Sequence, residues 1–384
     1  MPNLPAHASV VIIGGGGVGA SAAFHLAEAG VEDVVLLERA ELGSGSTVHS
    51  AGGFRAQFSD ELNIEISLRS IDALSRFAER PGGEIDFRQV GYLFLLDRQA
   101  DVDVFERSVA VQNRCGVPSR LVDADEARAL SPLLDTTGVL AATYCPIDGH
   151  ATPEAVVQGY AAGARRHGAT LVTGCEVLAI DLEGDVIQRV VTSQGAIETG
   201  TVICAAGPWS AAVAALVGAD LPVKPLRREV RVTEPWPGLP SPLPLTIDFS
   251  TGFYYHAEGP GLLFGMGDPA QPYGFDVETR EEWLENVLEV AERRAPSLLD
   301  QGIASGWHGF YEMSPDHNAL VGELSGVSRF LYATGFSGHG FQQAPAVGEV
   351  LRDLVRGIDP VVDVAGFSVD RFATAEARPE HNIV

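Results

Sequence analysis

The stretch SVVIIGGGGVGASAAFHLAEAGVEDVVLLER, Ser9 to Arg39, decides the fold. Ser9 to Ile13 is a β-branched run, glycines follow, Val18 to Ala29 carries apolar residues at helical spacing, and Asp33 to Leu37 is a second strand. Strand, turn, helix and strand in this order make a βαβ unit, and strands without polar alternation belong to a parallel sheet covered on both faces. Gly14, Gly16 and Gly19 stand as GxGxxG across the turn. The first glycine permits the tight turn, the second lets backbone approach a pyrophosphate at the helix N-terminus, and the third allows close helix–strand contact. About twenty residues further on, Glu38 closes the second strand, where a carboxylate binds the two hydroxyls of an adenosine ribose and disfavours a 2′-phosphate. The expectation is a dinucleotide, FAD or NAD.

Composition narrows the class. The 384 residues include 26 Lys+Arg and 51 Asp+Glu, a formal net charge of −25, with no basic run. That balance argues against nucleic acid or an anionic membrane as partner. Cys115, Cys145, Cys175 and Cys204 form no CxxC pair and no zinc-type spacing, so the expectation is a reduced, cytoplasmic protein without a metal. Two charge-poor stretches, Ser9 to Ala27 and Val202 to Ala219, approach membrane-span length. Glycines break the first, and Gly207 with Pro208 breaks the second, so each reads as a buried strand running into a helix.

Along the chain, Ile64, Leu68, Ile71, Leu74 and Phe77 give Asp60 to Arg80 one apolar helical face, ended by Pro81, Gly82 and Gly83. Pro153 to His167 reads as a helix with Thr152 as N-cap. Strands are expected at Gly91 to Asp97, Thr170 to Thr173, Glu176 to Leu182, Val186 to Thr192, Val202 to Ala205, Glu229 to Thr233, Gly252 to His256, Leu262 to Met266 and Phe330 to Thr334. Helices are expected at Val277 to Arg294 and Gln343 to Arg356, and the closing ARPEHNIV reads as a loose tail.

A second loop separates the two cofactors. Glu38-Arg39 leads into GSGSTVHSAGGFRAQF, Gly43 to Phe58, whose N–H groups and hydroxyls suit a pyrophosphate and then a flavin ring, and which an NAD enzyme does not need. Later come VICAAGPWS (Val202 to Ser210), YEMSPDHNALVG (Tyr311 to Gly322) and GFSGHGFQQAPAVG (Gly335 to Gly348). On these residues the chain resembles the FAD-dependent D-amino acid oxidase superfamily, in its sarcosine oxidase, dimethylglycine dehydrogenase and proline dehydrogenase β-subunit branch. The resemblance covers nearly the whole length.

It implies an α/β fold: a Rossmann-like FAD-binding domain of residues 1–86, 146–221 and 308–384, and a second α+β substrate domain of 87–145 and 222–307 containing an antiparallel sheet. The activity implied is oxidation of the C–N bond of a small or N-methylated amino acid, by hydride transfer to flavin N5. The expected FAD contacts are Gly14, Gly16, Val18, Gly19, Glu38 and Arg39 in the first unit, and Ser46, Thr47, His49, Gly52 and Gly53 in the second loop. Val177, Ala206, Gly207 and Trp209 would meet the adenine and phosphate portions. Gly338, His339, Gly340, Phe341 and Gln342 would bring a helix N-terminus to the pyrimidine edge, where negative charge develops on reduction. A similar STWHAAG segment in dimethylglycine dehydrogenases carries a histidine bonded to the flavin. His49 is therefore a covalent attachment point, a non-covalent contact or a loop support.

Catalytic candidates are Arg55, Tyr254, His256, Tyr311 and His339. Side chains alternate on a strand, so one of Tyr254 and Tyr255 faces the flavin. Arg55, Arg227, Arg228 and Arg231 are candidates to clamp a carboxylate. Tyr311, Asp316 and His317 invite an acid–base triad, which hydride transfer from a neutral amine does not require. Gln342 stands where sarcosine oxidases have a substrate-binding lysine, and Leu262 and Leu263 where they hold a lysine that speeds reaction with oxygen. A dehydrogenase or slow oxidase is the expectation. An NAD-dependent dehydrogenase, or a flavoprotein subunit or assembly factor, stays open as an alternative, with a partner subunit or separate electron acceptor.

Overall fold

A computed structural model of the chain describes residues 4–276, 278, 280–374 and 378–383. The strand Val10–Ile13 is buried along its whole length because its two faces meet different layers. Val10 and Ile12 join one apolar core with Phe24, Tyr160 and Val347, whereas Val11 and Ile13 join a second with Ile180, Ile187 and Val190. Helices Gly17–Glu28, Pro153–Arg166 and Gly340–Arg356 supply the first layer, and the small antiparallel sheet Val177–Glu183, Val186–Thr192 and Gly195–Glu198 supplies the second. Between them lies a six-stranded sheet in the order Leu320–Glu323, Phe330–Thr334, Val202–Cys204, Val10–Ile13, Val34–Leu37, Thr170–Val172. Every pairing in it is parallel except Leu320–Glu323 with Phe330–Thr334. The α/β class read from the first unit is the observed one.

A separate eight-stranded sheet runs in the order Ile303–Met313, Lys224–Thr233, Gly261–Gly265, Phe253–Glu258, Leu245–Asp248, Tyr92–Leu96, Ala141–Cys145, Arg120–Val122. It is antiparallel apart from the pairing of Leu245–Asp248 with Tyr92–Leu96. All eight strands lie either between Leu37 and Thr170 or between Cys204 and Phe330, where the six-stranded sheet makes its long crossings. Strand Ile303–Met313 carries the chain back and spans the boundary expected at residues 307/308.

Several boundaries move for local reasons. Helix Glu61–Ser75 starts as expected, with the Asp60 carboxylate accepting from Leu62 N–H at 3.0 Å and Asn63 N–H at 3.4 Å. It ends at Ser75, and turns carry the chain from Arg76 to Pro81. Thr152 occupies the N-cap position of Pro153–Arg166 without a side-chain cap bond. The helix expected from Val277 runs Glu281–Arg294, and Val277 and Thr279 lie outside the described residues. All four cysteines are free, and among the described residues no helix is long and apolar enough to cross a membrane.

The tail is not loose where it is described. The Glu380 carboxylate accepts from Ser59 N–H at 2.9 Å and Ser59 O–H at 2.8 Å, and the Asn382 carbonyl accepts from Arg55 Nη2 at 2.5 Å. Glu380 and Asn382 are buried, where they supply acceptors to Ser59 and Arg55. Residues 375–377 and 384 lie outside the described residues.

Asp316, one of the three residues that invite a triad the chemistry does not require, belongs to this packing. Arg371 holds its carboxylate bidentately, Nε and Nη2 each at 2.8 Å, and both side chains are buried. Removing one partner strands a buried charge. Arg371→Met is expected to cost about 3–5 kcal/mol in chemical denaturation. Adding Asp316→Asn should restore much of that, and an unchanged midpoint in the single variant would contradict the reading.

Candidate functional site

A cavity of about 550 Å³ lies at the C-terminal ends of the parallel strands, reaching from Glu38 to Tyr311. Its outer wall is the glycine turn. A Cβ on Gly14 would stand 2.3 Å from the Ala205 carbonyl oxygen, and one on Gly19 would stand 1.9 Å from the Gly14 oxygen. Those glycines let strand, helix and crossover touch backbone to backbone. Gly19 does only this and does not line the cavity, whereas Gly14, Gly16 and Val18 do. Gly16, the residue before the helix, makes no side-chain cap, so the helix presents its positive N-terminus to the cavity. The Glu38 carboxylate is fixed by N–H donors from Gly15 and Ala40, both at 2.8 Å. Beside it the Arg39 guanidinium sits 4.0 Å from the Trp209 ring, and Val177, Ala206 and Gly207 complete this end.

The second loop forms the next wall. Thr47 Oγ1 accepts from Gly17 N–H at 3.1 Å, and Ser46 O–H donates to the Phe310 carbonyl at 2.6 Å. His49 Nδ1 lies 2.5 Å from the Gly45 carbonyl. A carbonyl only accepts, so Nδ1 carries a proton and donates to it. Gly52 and Gly53 do not line the cavity. They let the loop pass over its neighbours: a Cβ on Gly52 would stand 2.2 Å from the Ala151 oxygen, and one on Gly53 would stand 1.7 Å from the Tyr92 hydroxyl.

At the inner end Gly338, Gly340 and Phe341 bring in the start of helix Gly340–Arg356, against Tyr311. Gly338 has φ +99°, and a Cβ there would fall 2.6 Å from the Tyr311 ring. His339 and Gln342 face away from the cavity. Gln342 Oε1 accepts from Arg55 N–H at 2.6 Å. His339 packs edge-on to Phe58 with centroids 4.9 Å apart, and its Nε2 accepts from Arg55 Nη2 at 3.1 Å. Burial, then the Arg55 charge, holds its pKa well below the usual histidine value, so the ring is neutral.

Behind this wall lies a buried polar cluster. Arg55 also donates to the Gln57 carbonyl and stands 4.0 Å over the Phe58 ring, and burial pulls its pKa down. Asp148 accepts from Ala56 N–H at 2.8 Å and Gln57 Nε2 at 3.0 Å, and burial pushes its carboxyl up to about 7. Strand alternation separates the tyrosines, and neither lines the cavity. Tyr255 joins the core of the second unit, its hydroxyl 2.8 Å from Ser131 Oγ. Tyr254 takes the opposite face, where burial and then Tyr311 raise its pKa. His256 is fully buried, with Nδ1 2.8 Å from the Ala257 carbonyl and its ring 4.7 Å from His150, and it does not line the cavity.

The same alternation sorts the arginines. Arg227 and Arg231 both engage Glu229, the former at 2.6 Å, while Arg228 lines the cavity with its guanidinium 5.1 Å from the Tyr311 ring. No sequence motif singles out Tyr92, Asp148 or Glu312, and for Glu312, next to Tyr311, only strand alternation carries a signal. Among the described residues no three His, Cys, Asp or Glu side chains are grouped to hold a metal.

Asp148 gives a pH signature. Its folded pKa, about 7, lies above the unfolded carboxylate value, so its contribution to stability falls as pH rises between the two. Asp148→Asn should therefore gain on the wild type from about pH 4 to 7, by up to roughly 1.4 kcal/mol per pH unit. Urea melts across that range check it, and parallel curves would refute it.

These residues fit FAD. A ribose carboxylate, two helix N-termini and a polar loop line one elongated cavity whose close backbone approaches leave no room for side chains. Comparison with known proteins agrees. The family model for FAD dependent oxidoreductases (DAO) matches residues 9–354. Mouse (Mus musculus) mitochondrial dimethylglycine dehydrogenase is 33% identical over 391 residues, covering 97% of this chain and 45% of its own. The 4-methylaminobutanoate oxidase (formaldehyde-forming) of Paenarthrobacter nicotinovorans is 30% identical, covering 96% and 46%. The chain thus spans about half the length of these curated relatives. Among solved structures, L-proline dehydrogenase from P. horikoshii superposes with a TM-score of 0.92 at 34% identity, covering 98% of this chain and 100% of its own. Glycine oxidase from Geobacillus kaustophilus gives 0.85 at 25%, covering 96% and 99%. With the glycine turn, the carboxylate after it and the inner helix start all facing one cavity, the chain belongs to the FAD dependent oxidoreductase family.

Proposed function

We propose that the protein oxidises the C–N bond of a small amino acid or N-methylated amino acid in the cytoplasm, with FAD as cofactor. The observation that carries this reading is the inner end of the cavity, where Tyr311 and Arg228 stand side by side against the helix start at Gly338–Phe341. The names of the relatives, which act on dimethylglycine, 4-methylaminobutanoate, proline and glycine, support the same substrate class. Bound FAD supplies a two-electron acceptor for the hydride on the carbon next to nitrogen.

The chain's own residues position the substrate. Arg228 presents a guanidinium to a carboxylate, and the Tyr311 ring bounds the space available to the amine substituents. Arg55 shapes this wall from behind through His339 and Gln342. No side chain need act as a strong base if the amine binds neutral, and the product imine hydrolyses in water. His49 lines the cavity, held by its Nδ1 bond to the Gly45 carbonyl, as a non-covalent contact for the cofactor.

A dehydrogenase or slow oxidase fits better than a fast oxidase. The single lysine, Lys224, stands 5.7 Å over the Tyr273 ring and does not line the cavity. Leu262 and Leu263 are buried and apolar. We also assign residues 1–86, 146–221 and 308–384 to cofactor binding and 87–145 and 222–307 to the substrate side. The sorting of strands between the two large sheets supports that division, with strand Ile303–Met313 bridging them.

Anaerobic mixing of the yellow protein with sarcosine, dimethylglycine, proline and D-amino acids should bleach the flavin absorbance with at least one. No bleaching with any would favour a flavoprotein subunit instead. With a bleaching substrate found, Arg228→Leu should raise KM about tenfold or more, with a smaller change in kcat. An unchanged KM would remove Arg228 from carboxylate binding. Acid precipitation should leave a colourless pellet and a yellow supernatant, and a yellow pellet would mark a covalent bond at His49.

A further inference from the structure

Three carboxylates line the cavity: Glu38, Glu176 and Glu312. Glu176 is exposed at the rim, and Glu38 belongs to the outer end beside Gly15. Glu312 lies deeper, between the turn at Gly207 and the helix start at Gly340. Its Oε2 accepts from Thr334 O–H at 2.8 Å and Gly335 N–H at 3.2 Å. Its Oε1 faces Gly340, 3.2 Å from where a Cβ on that glycine would stand. The side chain is not covered by its packing: it keeps accessible surface, and that surface is cavity wall.

The order of groups along the wall says what meets it. Glu38 and the turn Gly14–Gly17 offer a ribose partner and a helix N-terminus for phosphate. The far end, Tyr311, Arg228, Phe341 and His49, suits a planar ring and its substrate. In FAD, the segment between pyrophosphate and ring is the ribityl chain, an uncharged polyol whose hydroxyls each need an acceptor once desolvated. A carboxyl at the middle of the wall supplies one. We propose that Glu312 recognises this polyol: its Oε1 accepts a hydrogen bond from one ribityl hydroxyl of bound FAD. The proposal rests on the FAD reading of the cavity. Burial pushes the Glu312 carboxyl up to about 7, and a hydroxyl donated to it offsets part of that desolvation.

The competing role is purely structural, since the bonds from Thr334, Gly335 and the Phe336 backbone also staple the loop before Gly338. Cofactor analogues separate the two. Apoprotein is titrated, by quenching of flavin fluorescence, with FAD and with three FAD analogues lacking the ribityl 2′-, 3′- or 4′-hydroxyl. The wild type should bind one analogue about tenfold more weakly than FAD. Glu312→Ala should bind FAD about tenfold more weakly than the wild type does and no longer distinguish that analogue from FAD. A loop staple alone would weaken FAD and all three analogues by the same factor, which would overturn the proposal. Equal binding of FAD and every analogue by the wild type would overturn it without any variant. Failure of the wild type to bind FAD would instead sink the cofactor reading itself.

Discussion

Backbone contact at Gly14, Gly19 and Ala205 is the constraint from which the cofactor site follows. Side chains at those glycines would overlap carbonyl oxygens, so the first helix would be driven off the sheet and its N-terminus away from the cavity. Because contact is allowed, the helix start points where a phosphate can reach it, and Gly15 N–H is left to orient the Glu38 carboxylate. The second loop is then located from the same place, through Thr47 on Gly17 N–H and Ser46 on the Phe310 carbonyl. Two hydrogen bonds therefore tie the nucleotide end of the cavity to the strand that carries Tyr311.

On the substrate side, strand alternation does the sorting. Lys224–Thr233 turns Arg227, Glu229 and Arg231 to one face, where Glu229 pairs with both arginines, and turns Arg228 to the other. Phe253–Glu258 divides Tyr254 from Tyr255 in the same way. A site built on strands inherits this two-way choice at every position, so a few polar groups can face a cavity while their neighbours hold a core or an ion pair.

The nucleotide half was legible because its signals are local. Glycine spacing, an apolar strand and a carboxylate at fixed distance appear within thirty residues and need no knowledge of the rest. The catalytic half depends on pairings that a linear reading does not contain. Asn382 reaches Arg55, Gln342 reaches the same residue, and Tyr92 fills the space that Gly53 leaves open. His339 drew attention because glycines flank it, yet those glycines line the cavity while the imidazole turns inward to Phe58. The tail reads as loose in the sequence, and it is held because Glu380 and Asn382 accept from Ser59 and Arg55, more than 300 residues away.

The two long crossings of the six-stranded sheet have a further meaning. The sheet needs Thr170–Val172 beside Val34–Leu37 and Phe330–Thr334 beside Val202–Cys204, and within those crossings the segments that build the eight-stranded sheet do not enter it. Closure entropy grows only logarithmically with a loop, by about 0.6 kcal/mol per doubling. Descendants of this architecture can thus exchange, enlarge or rebuild the whole substrate wall inside those crossings while inheriting the nucleotide half unaltered, so that specificity and cofactor chemistry evolve as separate inheritances on a single polypeptide.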